Sequence, residues 1–187
     1  MDSNPPRILA VCTGNICRSP VMERLFRARL STSALVASAG TGAMVGSAMA
    51  PGMTDLLHRV GVPSTGFKAR QVTDTLVDDA DLILTATVSH RSKVVDLKPQ
   101  AMHYAFTLLE FAIPLSAMDV SKVVDLPLNE RIEPLIEYVL ASRPRLRLSK
   151  KELDVPDPYG HEEELYTTAF SMIYQAVATI TYVLTVT

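Results

Sequence analysis

The sequence predicts an α/β fold: a single doubly wound domain over residues 1–187, with a four-stranded parallel sheet flanked by helices. Short apolar runs alternate with segments of helical periodicity, which is typical of a parallel sheet with right-handed crossovers. A polar loop follows the first apolar run and leads into a helix, so a site is expected at the carboxyl end of that strand. The chain has 187 residues, 48% hydrophobic and 20% charged, which suits one globular domain with a full core.

Four apolar segments are predicted as strands, at residues 7–11, 35–38, 81–86 and 102–106. Helices are predicted from residue 20 onward, at 51–61, at 89–96 and at 129–142, the last interrupted early by Pro134. The start of the first helix is indicated twice, because Ser19 is a good N-cap and Pro20 suits the first helical position.

The stretch from Leu165 to Thr187 carries no charged residue and is long enough to span a bilayer, which takes about 20 residues. Its apolar side chains nevertheless form one helical stripe, made of Phe170, Ile173, Val177, Ile180 and Leu184. This stripe favours a helix packed on the sheet, and a membrane span is the less favoured interpretation.

Composition and charge exclude several classes of function. The net charge of −2 gives no reason to expect a nucleic-acid partner. The two cysteines do not form a disulfide framework, and the first apolar run is too short for a signal peptide, so we expect a reducing cytoplasm. The four histidines are scattered, so neither a metal site nor a cofactor is expected: His58, His90, His103 and His161.

The loop between the first strand and the first helix has the sequence CTGNICRS, residues 12–19. Free amide groups at a helix start suit a bound anion, and Arg18 adds a planar fork that can hold two phosphate oxygens. A thiol in this field loses its proton easily, so Cys12 is expected as a thiolate near neutral pH. A thiolate that faces a bound phosphate is a nucleophile aimed at phosphorus.

This loop resembles the active-site loop of the low-molecular-weight protein tyrosine phosphatases, in which Cys, five residues, Arg and Ser follow the first strand. Two further segments are similar to that family: residues 38–41, SAGT, and residues 157–160, DPYG, which match its distal acid loop. The resemblance implies a protein tyrosine phosphatase that acts on tyrosine-phosphorylated proteins through a phosphocysteine intermediate. The acid-loop segment and the low aromatic content also hint at a bacterial source.

The resemblance implies a role for each residue of the site. Cys12 would attack phosphorus, Arg18 would hold the phosphoryl oxygens, and Asp157 would protonate the leaving tyrosyl oxygen, with Asp154 as a fallback acid. Ser19 would favour the thiolate, and Asn15 would brace the loop at a positive φ. The other expected substrate-binding residues are Thr13, Gly14, Ile16, Cys17 and Tyr159, of which Tyr159 and Ile16 would wall a slot for a phenyl ring.

Three features near the site leave questions open. In the family, the cysteine that matches Cys17 forms a reversible disulfide with the nucleophile, although it can also be read as a small buried residue. Met44 and Phe67 stand where many relatives carry a pocket-lining aromatic residue and a loop-bracing histidine. The basic stretch from Arg143 to Lys151 is expected to be a solvated loop, with contact to an acidic or phosphorylated partner as the alternative.

Other functions are compatible with parts of this pattern. An arsenate reductase on the same fold is the nearest, although its thioredoxin-coupled form needs a third cysteine, and the chain has two. A non-catalytic phosphotyrosine-binding module would not need Asp157, and neither would a thiol redox sensor built on Cys12 and Cys17. The oligomeric state cannot be predicted from the sequence.

Overall fold

The computed structural model describes residues 4–187, so the domain prediction for residues 1–3 lies outside the described part. Four parallel strands form one sheet in the order β2-β1-β3-β4. The strands are β1 (Arg7–Cys12), β2 (Leu35–Gly40), β3 (Leu82–Thr85) and β4 (Ala105–Thr107). The helices are α1 (Arg18–Leu30), α2 (Pro51–Arg59), α3 (Asp74–Asp78), α4 (Val88–Leu97), α5 (Leu108–Leu115), α6 (Leu128–Ser142), α7 (Lys150–Leu153) and α8 (Glu163–Thr185).

Helices cover both faces of the sheet, which confirms the predicted fold class. Alternate residues of β1 point to opposite faces: Ile8 and Ala10 pack into the larger core with α1, α5 and α8, whereas Leu9 and Val11 pack with α3 and α4. The order of strands reverses at β1, which has β2 on one side and β3 on the other. The carboxyl end of β1 is therefore the switch point where sheets of this type bind ligands.

Helix α8 is long and apolar enough to cross a membrane by length and composition, and half of its most apolar window is buried in the fold. All five residues of the predicted stripe are buried in the larger core. The helix packs against α1, α2, α5 and α6. Its carboxyl end is held by Arg131, whose guanidinium donates to the carbonyl oxygens of Val183, Leu184 and Val186. The stripe is thus explained by packing inside the domain.

The structure differs from the predicted elements in three respects. Pro134 does not interrupt α6, which runs unbroken because its buried face, including Leu135 and Val139, is anchored in the core. Strand β4 begins at Ala105 rather than 102, because a 3-10 turn at Pro99–His103 precedes it. Helices α3 and α5 were not predicted, although Thr107 and Glu110 form a capping box at the start of α5.

The basic stretch is not wholly a solvated loop. Arg143 donates from Nε to Glu110 Oε1 at 2.8 Å, and its guanidinium lies over the Phe106 ring at 4.8 Å. Arg145 and Arg147 remain exposed, and Lys150 and Lys151 lie exposed on the short helix α7. The stretch therefore combines one structural arginine with four exposed cations.

Candidate active site

The loop between β1 and α1 is shaped by the segment that follows β2. The carbonyl oxygens of Cys12, Thr13 and Gly14 accept hydrogen bonds from the amides of residues 41, 42 and 44, at 2.9 to 3.1 Å. Within residues 4–187, the amides of residues 13–17 donate to no other backbone group. Because the carbonyls are turned outward and held there, the amides of the loop are free for an anion.

A cavity of about 210 Å³ lies over this loop. Eight of the ten predicted site residues line it, together with Gly42 and Met44: Cys12, Thr13, Gly14, Ile16, Cys17, Arg18, Asp157 and Tyr159. The other two, Asn15 and Ser19, are fully buried behind the loop. Their side chains therefore support the loop from behind rather than line the cavity.

Ser19 is not the N-cap of α1, which corrects the sequence prediction. The helix begins at Arg18, and the cap position falls on Cys17, whose side chain makes no capping hydrogen bond. The Ser19 hydroxyl is used inside the loop instead, because its Oγ lies 2.9 Å from Cys12 Sγ and accepts a hydrogen bond from the Asn15 amide at 2.9 Å. A hydroxyl that donates to the sulfur stabilises a thiolate.

Asn15 adopts the expected positive φ, 53°. The NH2 group and the Oδ1 atom of its side chain both make hydrogen bonds that hold this conformation. The amide donates to Ser19 and to Ser38, and Oδ1 accepts from the backbone N–H of Arg70 at 2.8 Å. The family resemblance leads us to expect a bracing histidine at the position of Phe67. Here the loop asparagine is braced by the Arg70 backbone N–H instead.

Glu23 extends this polar network into the core. It is 2% exposed and accepts a hydrogen bond from Ser38 Oγ at 2.6 Å. Arg27 and Arg70 lie 3.3 and 3.7 Å from its carboxylate oxygens. The carboxylate is thus buried with partners on every side, as a charge inside a protein requires.

Arg18 lies at the floor of the cavity and contacts the acid loop. Its Nη2 donates to Asp157 Oδ2 at 2.7 Å, and its Nη1 donates to the carbonyl oxygen of Val155 at 3.1 Å. The guanidinium is buried, and its Nε has no hydrogen-bond partner within the described chain. A buried N–H without a partner is costly, and an oxygen of a bound oxyanion would satisfy it.

Asp157 is half exposed, so its carboxyl can be reached from solvent. Tyr159 follows it, donates its backbone N–H to Asp157 Oδ1 at 3.3 Å, and is 55% exposed at the rim. Asp154, the fallback acid, is engaged elsewhere: its Oδ1 accepts from the backbone N–H of Val88 at 2.7 Å. Asp154 does not line the cavity and its carboxylate holds the start of α4, so Asp157 remains the favoured acid.

Burial shifts the pKa of two groups beside the loop. Burial, followed by the charges of Cys12 and Asp157, raises the pKa of the Cys17 thiol from 9.0 to about 12. Burial, followed by the charges of Arg18 and Lys93, lowers the pKa of His90 from 6.5 to about 4. At neutral pH, Cys17 is consequently a thiol and His90 a neutral imidazole.

The sequence analysis assigned no role in the site to several residues that shape it. His90 contacts Thr13, Arg70 and Glu23 brace the asparagine network, and Gly40 lies against the loop backbone. A histidine within the first turn of a helix carries no local signal of such a contact. Glu23 did leave one trace, since it is a carboxylate on the apolar face of α1.

A family model described as low molecular weight phosphotyrosine protein phosphatase matches residues 7–127 of this chain. The chain belongs to that family. The family match ends at residue 127, so it does not include Asp157.

Relatives and solved structures agree with this family assignment. The phosphatase Wzb of Salmonella typhi is 39% identical over 94 residues, which is 50% of this chain. That alignment spans only 62% of the length of Wzb. A Klebsiella pneumoniae relative assigned to the same family by name is 28% identical over 169 residues, 90% of either chain.

Two solved structures show the same fold over most of the chain. The tyrosine phosphatase AmsI of Erwinia amylovora superposes with a TM-score of 0.69 at 23% identity, covering 94% of this chain and 91% of AmsI. YwlE of Geobacillus stearothermophilus, described as an arginine phosphatase, gives a TM-score of 0.70 at 25% identity, covering 95% of this chain and 91% of YwlE. Structures with this fold therefore include one described as a tyrosine phosphatase and one described as an arginine phosphatase.

Proposed function

We propose that this protein is a protein tyrosine phosphatase that hydrolyses phosphotyrosine through a phosphocysteine intermediate. The observation that carries the proposal is the convergence of three groups on one cavity: the Cys12 sulfur beside Ser19 Oγ, the Arg18 guanidinium, and the Asp157 carboxyl. These groups supply a nucleophile, charge stabilisation and a proton, which are the three requirements of phosphoester cleavage.

In the first step, the Cys12 sulfur forms a bond to phosphorus while the bond from phosphorus to the tyrosyl oxygen breaks. Asp157, protonated, gives its proton to that oxygen, so tyrosine leaves as the neutral phenol. Arg18 and the loop amides hold the equatorial oxygens as their charge develops. Arg18 Nε, which lacks a partner in the described chain, gains one from the phosphoryl group.

In the second step, water attacks the phosphocysteine. The Asp157 carboxylate takes a proton from the water, the sulfur–phosphorus bond breaks, and phosphate and the Cys12 thiolate are released. Ser19 Oγ lies within hydrogen-bond distance of the sulfur and assists its departure. Each step uses only side chains and backbone amides, so we expect turnover without a metal ion or a cofactor.

The cavity walls favour an aromatic leaving group. Ile16, Met44 and Tyr159 line the cavity with apolar surface, and Met44 and Tyr159 are exposed at its rim. A phenyl ring can pack between such walls and buries more apolar surface against Ile16 and Met44 than a guanidinium group does. We therefore infer a tyrosine-phosphorylated protein as the substrate, met in the cytoplasm of a bacterium, with residues 1–187 acting as one catalytic domain.

The test is hydrolysis of a phosphotyrosine peptide and a matched phosphoarginine peptide under reducing conditions, with and without EDTA. We expect the phosphotyrosine peptide to be preferred and EDTA to have no effect. Cys12→Ser should abolish turnover, and Asp157→Asn should lower it by about 10²- to 10⁴-fold.

Other outcomes would contradict the proposal in distinguishable ways. Full activity in Asp157→Asn would rule out the acid, preference for phosphoarginine would overturn the substrate class, and an inactive wild type would redirect the question to arsenate reduction or to phosphotyrosine binding.

A further inference from the structure

The first turn of α4 contacts both catalytic loops at once. On one side, His90 Nε2 lies 2.8 Å from the hydroxyl of Thr13, the residue after the nucleophile. On the other side, the Val88 backbone N–H donates to Asp154, three residues before Asp157, at 2.7 Å. The two contacts are two residues apart on one helical turn.

The connection into α4 is itself tied to the sheet and to the acid loop. The amide of Ala86 donates to the carbonyl oxygen of Val11, beside Cys12, at 2.8 Å. The carbonyl oxygen of Ala86 in turn accepts from the Val155 amide at 2.8 Å. The carbonyl oxygen of Val155 also accepts from Arg18 at the floor of the cavity. Asp154 and Val155, which precede Asp157, are therefore each held by hydrogen bonds to groups outside the acid loop.

Burial and two hydrogen bonds fix the orientation of the His90 ring. It is 5% exposed, and its second ring nitrogen, Nδ1, lies 2.8 Å from the Thr87 hydroxyl. Thr87 in turn caps α4 by accepting from the His90 amide. With both nitrogens engaged, the ring cannot rotate without breaking a buried hydrogen bond. The position of the Thr13 side chain therefore follows the position of α4.

We propose that the first turn of α4 sets the distance between the nucleophile loop and the acid loop, with His90 and Asp154 as positioning residues. Neither residue contacts the cavity, so each acts through a neighbour: His90 through Thr13 on Cys12, and Asp154 through the chain leading to Asp157. Because a displacement of about 1 Å can reduce a rate by about 10²-fold, small contacts of this kind control activity. The inference rests on the proposed phosphatase activity.

The two positioning residues predict different kinetic signatures. A phenolate leaving group needs the proton from Asp157, whereas p-nitrophenolate is a much weaker base and leaves with little help. Displacing the acid loop should therefore lower kcat/KM for phenyl phosphate and largely spare p-nitrophenyl phosphate. Displacing the nucleophile loop should lower kcat/KM for both esters equally.

Asp154→Ala tests the acid side. We expect kcat/KM for phenyl phosphate to fall by about 10-fold or more and that for p-nitrophenyl phosphate by less than about threefold. Asp154→Asn should restore the wild-type ratio of the two esters, because its amide oxygen can still accept from Val88. Asp81→Ala is the matched control: Asp81 also accepts a backbone N–H at 2.7 Å, from Arg7 at the other end of the sheet.

His90→Phe tests the nucleophile side, because it keeps an aromatic ring, slightly larger than the imidazole, and loses both hydrogen bonds. We expect equal losses of about 10-fold for the two esters, partial recovery in His90→Gln, and no further loss when Thr13→Val is added to His90→Phe. Additive effects of the two substitutions would show that His90 does not act through Thr13.

The outcomes separate failure of this inference from failure of the proposed function. A wild type inactive on both esters overturns the phosphatase activity itself. An active wild type whose Asp154→Ala variant loses both esters equally, or neither, overturns the role of Asp154. Circular dichroism and thermal unfolding accompany each variant. If Asp154→Ala does not fold, Asp154→Ser replaces it, because a shorter acceptor can reach Val88 only when the acid loop shifts.

Discussion

Gly40→Ala should disrupt the nucleophile loop although it adds one methyl group at a site with no chemical role. Gly40 ends β2 and lies opposite Cys12 in the register of the sheet. A Cβ at this position would lie 2.3 Å from the carbonyl oxygen of Thr13 and 3.0 Å from the Cα of Ala43. Both neighbours are backbone, so no side chain can rotate away to relieve the clash.

The size of the effect follows from the distances. Ordinary contact begins at 3.4 Å, so the Thr13 carbonyl must retreat by roughly 1 Å, which pulls on its hydrogen bond from Gly42. Overpacking of this kind costs about 1–3 kcal/mol of the free energy of unfolding, and a shift of about 1 Å beside the nucleophile should lower kcat/KM by about 10²-fold.

Gly42→Ala is the matched control for stability, because its Cβ would meet only the Thr13 methyl group, at 3.9 Å. Gly42 lines the cavity, so kcat/KM of Gly40→Ala is compared with the wild type instead. Urea unfolding and hydrolysis of p-nitrophenyl phosphate measure the two effects for both variants. The reasoning is refuted if Gly40→Ala matches Gly42→Ala within about 0.5 kcal/mol in stability and the wild type within a factor of about two in kcat/KM, since the clash would then be absorbed without moving the loop.

Three further predictions concern pH, thiol reactivity and stability. Between pH 6.5 and 4, His90 is protonated in the unfolded chain but neutral in the folded protein. The free energy of unfolding should therefore fall by at most about 3 kcal/mol as the pH drops through this range. Urea unfolding of His90→Gln should lack this component. In Cys12→Ser the charge of Cys12 is lost, but burial, the largest cause, still raises the pKa of the Cys17 thiol. The thiol should therefore resist iodoacetamide at pH 8 in the folded variant and react once urea is added, and mass spectrometry should show a single label only then. Arg131→Lys should lower the free energy of unfolding by about 2–3 kcal/mol in urea titrations, because a lysine cannot reach all the carbonyl oxygens at the end of α8 and leaves buried acceptors unpaired; a loss below about 0.5 kcal/mol would mean that water replaces the guanidinium.

The sheet could be predicted from the sequence because its strands are continuous apolar runs with turns at their ends. The predicted strands overlap β1, β2, β3 and β4, and their errors lie at the ends, where the first or last residue pairs or does not pair with a neighbour. Helix α5 was harder, because Leu108–Leu115 is apolar on nearly every position and shows no helical stripe. Its capping box was the one available signal, but that signal lies in two residues, and the helix was not predicted.

Part of the candidate site could likewise be predicted from the sequence, and part could not. The loop from Cys12 to Ser19 is contiguous, so its residue types and spacing could be interpreted directly, and the structure gathers most of them around one cavity. The contacts that hold the loop come from Arg70, His90 and Asp154, which lie far from it along the chain. Each of these is an ordinary polar residue in its own segment, and only the folded chain shows what it contacts.

Many buried polar side chains of this domain support the candidate site rather than the stability of the fold. Of the polar side chains buried in the described chain, many belong to the loop or lie directly behind it: Asn15, Arg18, Ser19, Glu23, Ser38 and His90. A non-glycine residue at positive φ costs about 1–3 kcal/mol, and the network of Asn15 holds the loop in that conformation before any phosphate arrives. In the proposed mechanism, donors that are already in place need no reorganisation when charge develops on the phosphoryl oxygens, and this is what the network would contribute to catalysis. The apolar packing of α1 and α8 on the sheet compensates for this strain at a distance. It follows that damage to the apolar core should lower stability and activity together, whereas damage to the network should lower activity well before the protein unfolds.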